Sequence, residues 1–313
     1  MSRIVPPVDG KAPNPVLSKA VIEGVSGFTA GAITTLTMHP LDVLKTRLQL
    51  NTQKPQLGTS FRILRQIVHT EGNFRALYRG LMPNFAGNSI SWSLYFLWYD
   101  KIKTRVQTFR GDEKLSMSDY LLSSASAGTL TAIFTNPIWV VKTRMLSSGR
   151  NAPGAYRSMS HGLREIVRTE GVRGFWRGLI PSLFGISHGA VQFAAYEMFK
   201  NKRAADLGSP KLNNWDILIS SGASKIVAGS VTYPYQVVKV RLQSYEAKTN
   251  YLGVIDVLGK IWKHEGVMGF YKGLGPNLVR VLPSTCVTFL VYENMKTSLP
   301  MAYDHLIGTS LDT

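Results

Sequence analysis

"MHPLDVLKTRLQ" (residues 38–49) returns as "TNPIWVVKTRML" (135–146) and again as "TYPYQVVKVRLQ" (232–243). Their prolines, Pro40, Pro137 and Pro234, stand 97 residues apart both times. A second phrase follows each copy: "EGNFRALYRGLMPN", "EGVRGFWRGLIPS" and "EGVMGFYKGLGPN". A third closes each unit: "YDKIK" (99–103), "YEMFK" (196–200) and "YENMK" (292–296). Three phrases recurring three times in one order define a tandem repeat, and that period sets the architecture. The units fall at 18–112, 113–210 and 211–299, with an N-terminal extension over 1–17 and a C-terminal tail over 300–313.

Each repeat reads as two long apolar helices with a shorter amphipathic helix between them. The first helices are expected over 18–47, 117–144 and 214–241, the second over 81–103, 179–200 and 275–296. Residues 81–99 and 179–196 hold no Lys, Arg, Asp or Glu, which matches the ~20 residues needed to cross a bilayer. Glu23, Lys225, Arg280 and Glu293 interrupt the outer spans. "FRILRQIVHTEG" and "LREIVRTEG" place apolar residues at helical spacing, as surface-lying helices do. The expected fold is an all-α membrane protein of six spans. Gly27 and Gly31, Ala127–Gly128 and Ala228–Gly229 are candidates for close helix packing.

Composition sets the remaining bounds. A formal charge of +17 over 313 residues fits nucleic acid, anionic lipid or an anionic solute as partner. Segments 45–79, 142–177 and 239–272 carry 21 Lys/Arg against 6 Asp/Glu. All three follow the first helix of a repeat, so they share one side, as the positive-inside bias requires. A basic helical-repeat nucleic-acid-binding protein would have no need of that segregation or of charge-free spans. One cysteine, Cys286, excludes an intramolecular disulfide framework and a Cys-rich zinc site. The start of the chain, "MSRIVPPVDGKAPNPVLSK", reads as neither signal nor transit peptide. No Walker loop, nucleophile elbow or Rossmann glycine run is present, so no enzyme chemistry is expected, and no metal site is expected.

P-x-[DE]-x-x-[KR] closing each odd span, E-G-x4-[WY]-[KR]-G after it, and [FY]-[DE]-x-x-[KR] closing each even span resemble the mitochondrial carrier family over residues 18–299. The resemblance implies six tilted helices around a central pathway, alternating access and a site in the mitochondrial inner membrane. It also implies bound cardiolipin, and the chain is expected to work as a monomer. The first repeat has one extra residue in "EGNFRALYRG", so its short helix is expected to dock differently.

The physics of the motifs agrees with that likeness. Proline near a helix end removes a hydrogen bond and bends the helix, so Pro40, Pro137 and Pro234 are the expected kinks. Asp100/Lys103, Glu197/Lys200 and Glu293/Lys296 form a complete charged set, read as a cytosolic gate; ordinary i,i+3 surface pairs are the alternative. The matrix gate is incomplete: Asp42 is its only acid, since Trp139 and Gln236 occupy the other two acidic positions. By the family's pattern Asp42 should meet Lys142. Gln236 can hydrogen-bond Lys45, and Trp139 can offer its face to Lys239. The spare lysines could receive an anion.

Ionisable groups within spans mark pathways. Lys225 replaces the glycine found at the equivalent place in the other repeats, and Arg280 lies seven residues beyond Gly273. The same offset gives Gly87-Asn88 and Gly185-Ile186, the latter resembling the adenine-contacting pair of nucleotide-type carriers. Lys225, Arg280, Gly185, Ile186, Asn88, Asn277, Trp92 and Trp139 are therefore the candidate substrate contacts, with Asn84, Ser284, His188 and Gln192 around them. Snorkelling is the alternative for Lys225, lipid contact or packing for Trp92, and packing for His188. Trp139 resembles the pyrimidine-nucleotide, NAD, folate and FAD branch of the family, and the third repeat looks most like its folate/FAD carriers. The expected cargo is an anion with a planar ring, FAD or folate, with NAD or a pyrimidine nucleotide as the alternative.

Overall fold

The computed structural model describes residues 19–54, 56, 58–111, 115–149, 152–208 and 212–311; the expected N-terminal extension lies outside them. Among the described residues every regular element is helical. The first repeat supplies α1 (Lys19–Leu50), α2 (Thr59–Thr70) and α3 (Leu81–Arg110). The second supplies α4 (Met117–Ser147), α5 (Met159–Glu170), α6 (Leu179–Phe184) and α7 (Ser187–Leu207). The third supplies α8 (Asn214–Val231), α9 (Tyr233–Gln243), the single turn α10 (Ala247–Asn250), α11 (Val254–Glu265), α12 (Leu274–Val279) and α13 (Val281–Leu311). Tight 3-10 turns at Asn73–Tyr78, Val172–Trp176 and Val267–Tyr271 follow α2, α5 and α11. These three short helices bury one stripe each, around Ile67, Ile166 and Ile261, as their apolar spacing requires.

Two sets of breaks differ from the sequence expectation. Pro40 and Pro137 lie inside the unbroken helices α1 and α4. Only the third copy is interrupted, at Thr232 between α8 and α9, two residues before Pro234. There the Thr232 hydroxyl donates to the Ala228 carbonyl at 2.6 Å, so the polar group stays satisfied at the break. Of the even helices, all expected to run through, α3 does so, while the second and third are interrupted at Gly185-Ile186 and at Arg280. Their turns tighten locally: the Gly185 and Ile186 amides donate three residues back, at 3.0 and 3.1 Å. Both interruptions fall on the level that the sequence marks for cargo contact.

The described residues divide into two compact units, one within 35–284 and the other formed by 19–34 with 285–311. In the smaller unit Thr34 and Thr288 share a hydroxyl hydrogen bond of 2.8 Å. A Cβ built at Gly27 or Gly31 meets no atom within 4 Å, so among the described residues the expected GxxxG packing contact is not made. Ala127 and Ala228, in the larger unit, are fully buried, and a Cβ at Gly128 would lie 3.5 Å from Ile186.

At the proline-motif end of the larger unit the three repeats are tied in a circuit. The Arg47 Nε donates to the Leu146 carbonyl at 2.6 Å, Arg144 Nε to the Gln243 carbonyl at 3.2 Å, and Arg241 Nε to the Gln49 carbonyl at 3.0 Å. Each arginine of one repeat thus reaches the equivalent residue of the next, and the third returns to the first. A glutamate of the same repeat holds each guanidinium: Glu71 at 2.9 and 2.7 Å, Glu170 at 2.5 Å, and Glu265 through both carboxylate oxygens. Arg144, 2% exposed, is a buried tie within this circuit.

A second base reinforces the carboxylate in two repeats, Arg177 on Glu170 at 2.6 Å and Lys272 on Glu265. In the first repeat Arg79 donates instead to the carbonyls of Met145 and Tyr156, at 2.6 and 3.2 Å. The extra residue lengthens the 3-10 turn there, and Asn73 takes up the excess at φ 62°. The glycine ending each [WY]-[KR]-G phrase closes the joint. Gly80, Gly178 and Gly273 have φ of 76°, 70° and 83°. A Cβ on them would strike Leu146, Gln243 or Tyr233 within 3 Å, so both conformation and space exclude a side chain.

Candidate functional site

Above this circuit, α1, α4 and α9 present matching stripes to one another. Asp42, Trp139 and Gln236 form one level, and Lys45, Lys142 and Lys239 the next, with Gln49, Leu146 and Gln243 lying deepest. Positions three, four and seven apart share a helix face, so the repeat period alone stacks these levels. They enclose a cavity of about 300 Å³.

The acid of this chamber is not held as the family pattern implies. The Arg280 guanidinium donates directly to the Asp42 carboxylate, whereas Lys142 lies outside salt-bridge distance of Asp42. The helix interruption at Arg280 puts its long side chain at the Asp42 level, and guanidinium is the better partner for a planar carboxylate. Lys45 donates to Gln236 at 2.9 Å and to Asn277 at 2.8 Å. The Trp139 ring carries two ammoniums, Lys142 at 4.7 Å and Lys239 at 5.8 Å from the ring centroid. Such contacts contribute roughly 0.5–2 kcal/mol each. Gly87 gives Trp139 its room, since a Cβ there would come within 3.4 Å of the indole.

The structure therefore brings Asp42, Lys45, Lys142, Gln236, Lys239, Trp139 and Arg280 around one chamber, with Asn277 bonded to its rim. Lys225, half-buried, does not line it. Gly185 is pressed by the Tyr235 hydroxyl, 3.1 Å from a Cβ placed there. Ile186 packs over Gly128. Asn88 donates to Asn84 at 3.3 Å, and Asn84 in turn contacts His39. Trp92 is 62% exposed and stacks on Phe96 at 5.7 Å. His188 meets the Thr232 hydroxyl at 2.8 Å, the hydrogen-bonding role open to it from sequence.

Among the described residues of the larger unit, no ion pair joins the set at the opposite helix ends across helices. Glu197 and Lys200 pair along their own helix at 3.5 Å. Lys103 lies over the Tyr120 ring at 5.9 Å, and Asp100 is exposed without an ion pair among the described residues. In the smaller unit Lys296 lies over Tyr292 at 5.8 Å, beside Glu293 on the same helix face.

The family description "Mitochondrial carrier protein" matches three times, over residues 18–110, 113–205 and 210–302. The chain belongs to the mitochondrial carrier family. It is 40% identical over 301 residues to the mitochondrial FAD carrier protein of Saccharomyces cerevisiae, covering 88% of this chain and 96% of that one. It is 39% identical over 284 residues to a mitochondrial nicotinamide adenine dinucleotide transporter of Arabidopsis thaliana, covering 86% and 77%. It is 37% identical over 286 residues to a chloroplastic folate transporter of Arabidopsis thaliana, covering 86% and 92%. The family consists of transporters, and six membrane-spanning segments in three repeats account for the helix pattern.

Sequence reasoning missed the arginine circuit of this carrier and the buried residue before each proline. His39, Asn136 and Tyr233 are each at most 1% exposed. His39 bonds the Arg79 carbonyl at 2.9 Å, Asn136 the Phe175 carbonyl at 2.6 Å, and Gln49 donates to the Tyr233 hydroxyl at 3.1 Å. The signal was available, since the arginines recur in register and a glutamate opens each E-G phrase; their partners, mostly backbone carbonyls, were not. The Glu265 carboxyl illustrates the energetics. Burial alone would raise it, but hydrogen bonds and charge from Arg241 and Lys272 hold it below the ordinary carboxylate range. Glu170 behaves alike: burial acts upward, and Arg144 and Arg177 bring it below.

Proposed function

We propose that this carrier moves FAD across the mitochondrial inner membrane by alternating access through one central site, with a folate as the nearest alternative cargo. The observation that carries the reading is Trp139, an aromatic ring flanked by Lys142 and Lys239 where a gate carboxylate is expected. A cationic chamber with an aromatic wall suits a large anion with a planar ring better than a simple carboxylate. Lys225 and Arg280 would take the pyrophosphate of FAD or the glutamate carboxylates of a folate. Gly185-Ile186 would lie beneath the ring, with Asn88, Asn277 and Trp92 as further contacts. The FAD and folate carriers among the relatives support this choice. Two nicotinamide adenine dinucleotide transporters at 39% identity favour NAD as the second reading.

The coupling follows from the bonds present. Opening the proline-motif end requires Asp42 to leave Arg280 and Lys45 to leave Gln236. An anion arriving at Arg280 replaces the carboxylate it loses, which supplies the differential energy a conformational change needs. Asp100/Lys103, Glu197/Lys200 and Glu293/Lys296 would close the cytosolic side in the alternate state. Cardiolipin would be the bound lipid and the monomer the working unit. Purified carrier in liposomes should take up FAD or tetrahydrofolate in parallel assays with NAD and UTP. Uptake of NAD with none of FAD or tetrahydrofolate would overturn the choice.

A further inference from the structure

Lys142 and Lys239 stand in one wall of the chamber, half-buried, and neither donates a hydrogen bond to any described residue. Their shared contact is the Trp139 ring, at 4.7 and 5.8 Å. Four bases and one acid line the cavity, and that acid is already taken by Arg280. Lys45 differs from the other two, because Gln236 and Asn277 accept from it at 2.9 and 2.8 Å. Two ammoniums with six N–H donors between them and no acceptor are a costly arrangement in a recess. An anion supplying several oxygens would satisfy both, through charge-assisted hydrogen bonds.

We propose that this chamber is a phosphate-binding site, in which Lys142 and Lys239 hold one phosphate group beside the Trp139 ring. The anion takes the place of the carboxylate that Trp139 removes from the ring of charges. Because Lys142 belongs to the second repeat and Lys239 to the third, the bound phosphate pins two repeats together at the proline-motif end. A volume of about 300 Å³ accepts a compact anion with its water, at the small end of the ~300–1,000 Å³ typical of ligand pockets. The phosphate can be inorganic, or it can arrive as part of a nucleotide cargo. The site is separate from Lys225, which does not line the chamber.

The test is thermal unfolding of the purified full-length carrier in detergent, with sodium phosphate titrated against sodium chloride at constant ionic strength. The midpoint should rise saturably by roughly 2–4 °C with phosphate and not with chloride. Lys142→Gln combined with Lys239→Gln should abolish the rise. Trp139→Glu, which restores a carboxylate between the same lysines, should abolish it as well and guards against a double variant that fails to fold. A parallel arm with FAD in phosphate-free buffer separates the sources. A rise with FAD alone that needs both lysines assigns the phosphate to the cargo. A rise that survives in both variants, or no lysine-dependent rise with either ligand, overturns the proposal. The inorganic phosphate arm uses no cargo, so it stands or falls apart from the transport reading.

Discussion

Arg280, on an even helix of the third repeat, holds Asp42, on the first helix of the first repeat, 238 residues away. The one acid lining the chamber is therefore bound by a base from an even helix and not by the lysine of the next repeat. Under the proposed function, cargo recognition and closure of the proline-motif end share a single guanidinium. Any anion that takes Arg280 loosens Asp42, and any condition that strengthens the pair resists the anion.

Trp139→Glu should strengthen closure, because a carboxylate at that level meets Lys239 or Lys142 directly. Initial uptake rates in liposomes should fall about tenfold, the equivalent of ~1.4 kcal/mol in the barrier. Trp139→Phe, which keeps an aromatic face, should retain most of the rate. Equal rates for the Glu variant and the parent would remove Trp139 from the ring of charges.

The arginine circuit should dominate stability. Glu265→Gln strips a buried Arg241 and Lys272 of their carboxylate, in a pair whose side chains are only 2% exposed. Breaking such a pair from one side costs ~3–5 kcal/mol. Glu71→Gln, where the side chains are 17% and 16% exposed, should cost less. Thermal midpoints of the two variants in detergent give the comparison.

Acid should unfold the carrier through the same carboxylates. Glu170 and Glu265 are held below their ordinary value of 4.5. A depressed folded value means that the stability they contribute is complete above pH 4.5 and is lost as pH falls below it toward the folded values. Midpoints measured from pH 7 downward should therefore be level and then drop in that window. In Glu265→Gln the drop should be shallower.

Gly273→Ala should be far more damaging than Gly111→Ala. Both glycines have positive φ, 83° and 59°, so each substitution incurs ~1–2 kcal/mol of backbone strain. Only at Gly273 would the new methyl also meet the Tyr233 hydroxyl at 2.8 Å and the Lys45 carbonyl at 2.9 Å. Relative melting of the two variants separates strain from collision.

Much of the fold was legible because the repeat states it three times. Hydropathy alone was a weaker guide: among the described residues, 267–301 is the one stretch both long and apolar enough to pass as a span. Lys225 and buried polar residues of the other helices, among them Ser26, Asn84, Thr131 and Ser224, dilute their hydropathy. Lys45 with Gln236, and Lys239 with Trp139, are contacts that equivalent positions in consecutive repeats foreshadow. Asp42 with Arg280 is not of that kind. It depends on where the even helix breaks and how far a guanidinium reaches, which neither spacing nor composition records. The Arg47, Arg144 and Arg241 circuit stayed hidden for another reason, because a backbone carbonyl leaves no mark in sequence.

The competition at Arg280 is tested most directly by half-saturation for FAD uptake in liposomes containing the parent, Asp42→Asn or Arg280→Gln. Removing the Asp42 charge frees the guanidinium in advance, so the half-saturating concentration should fall about 5- to 10-fold. Arg280→Gln should raise it at least about tenfold. An Asp42→Asn carrier whose half-saturation is unchanged or raised, with uptake intact, would contradict the account.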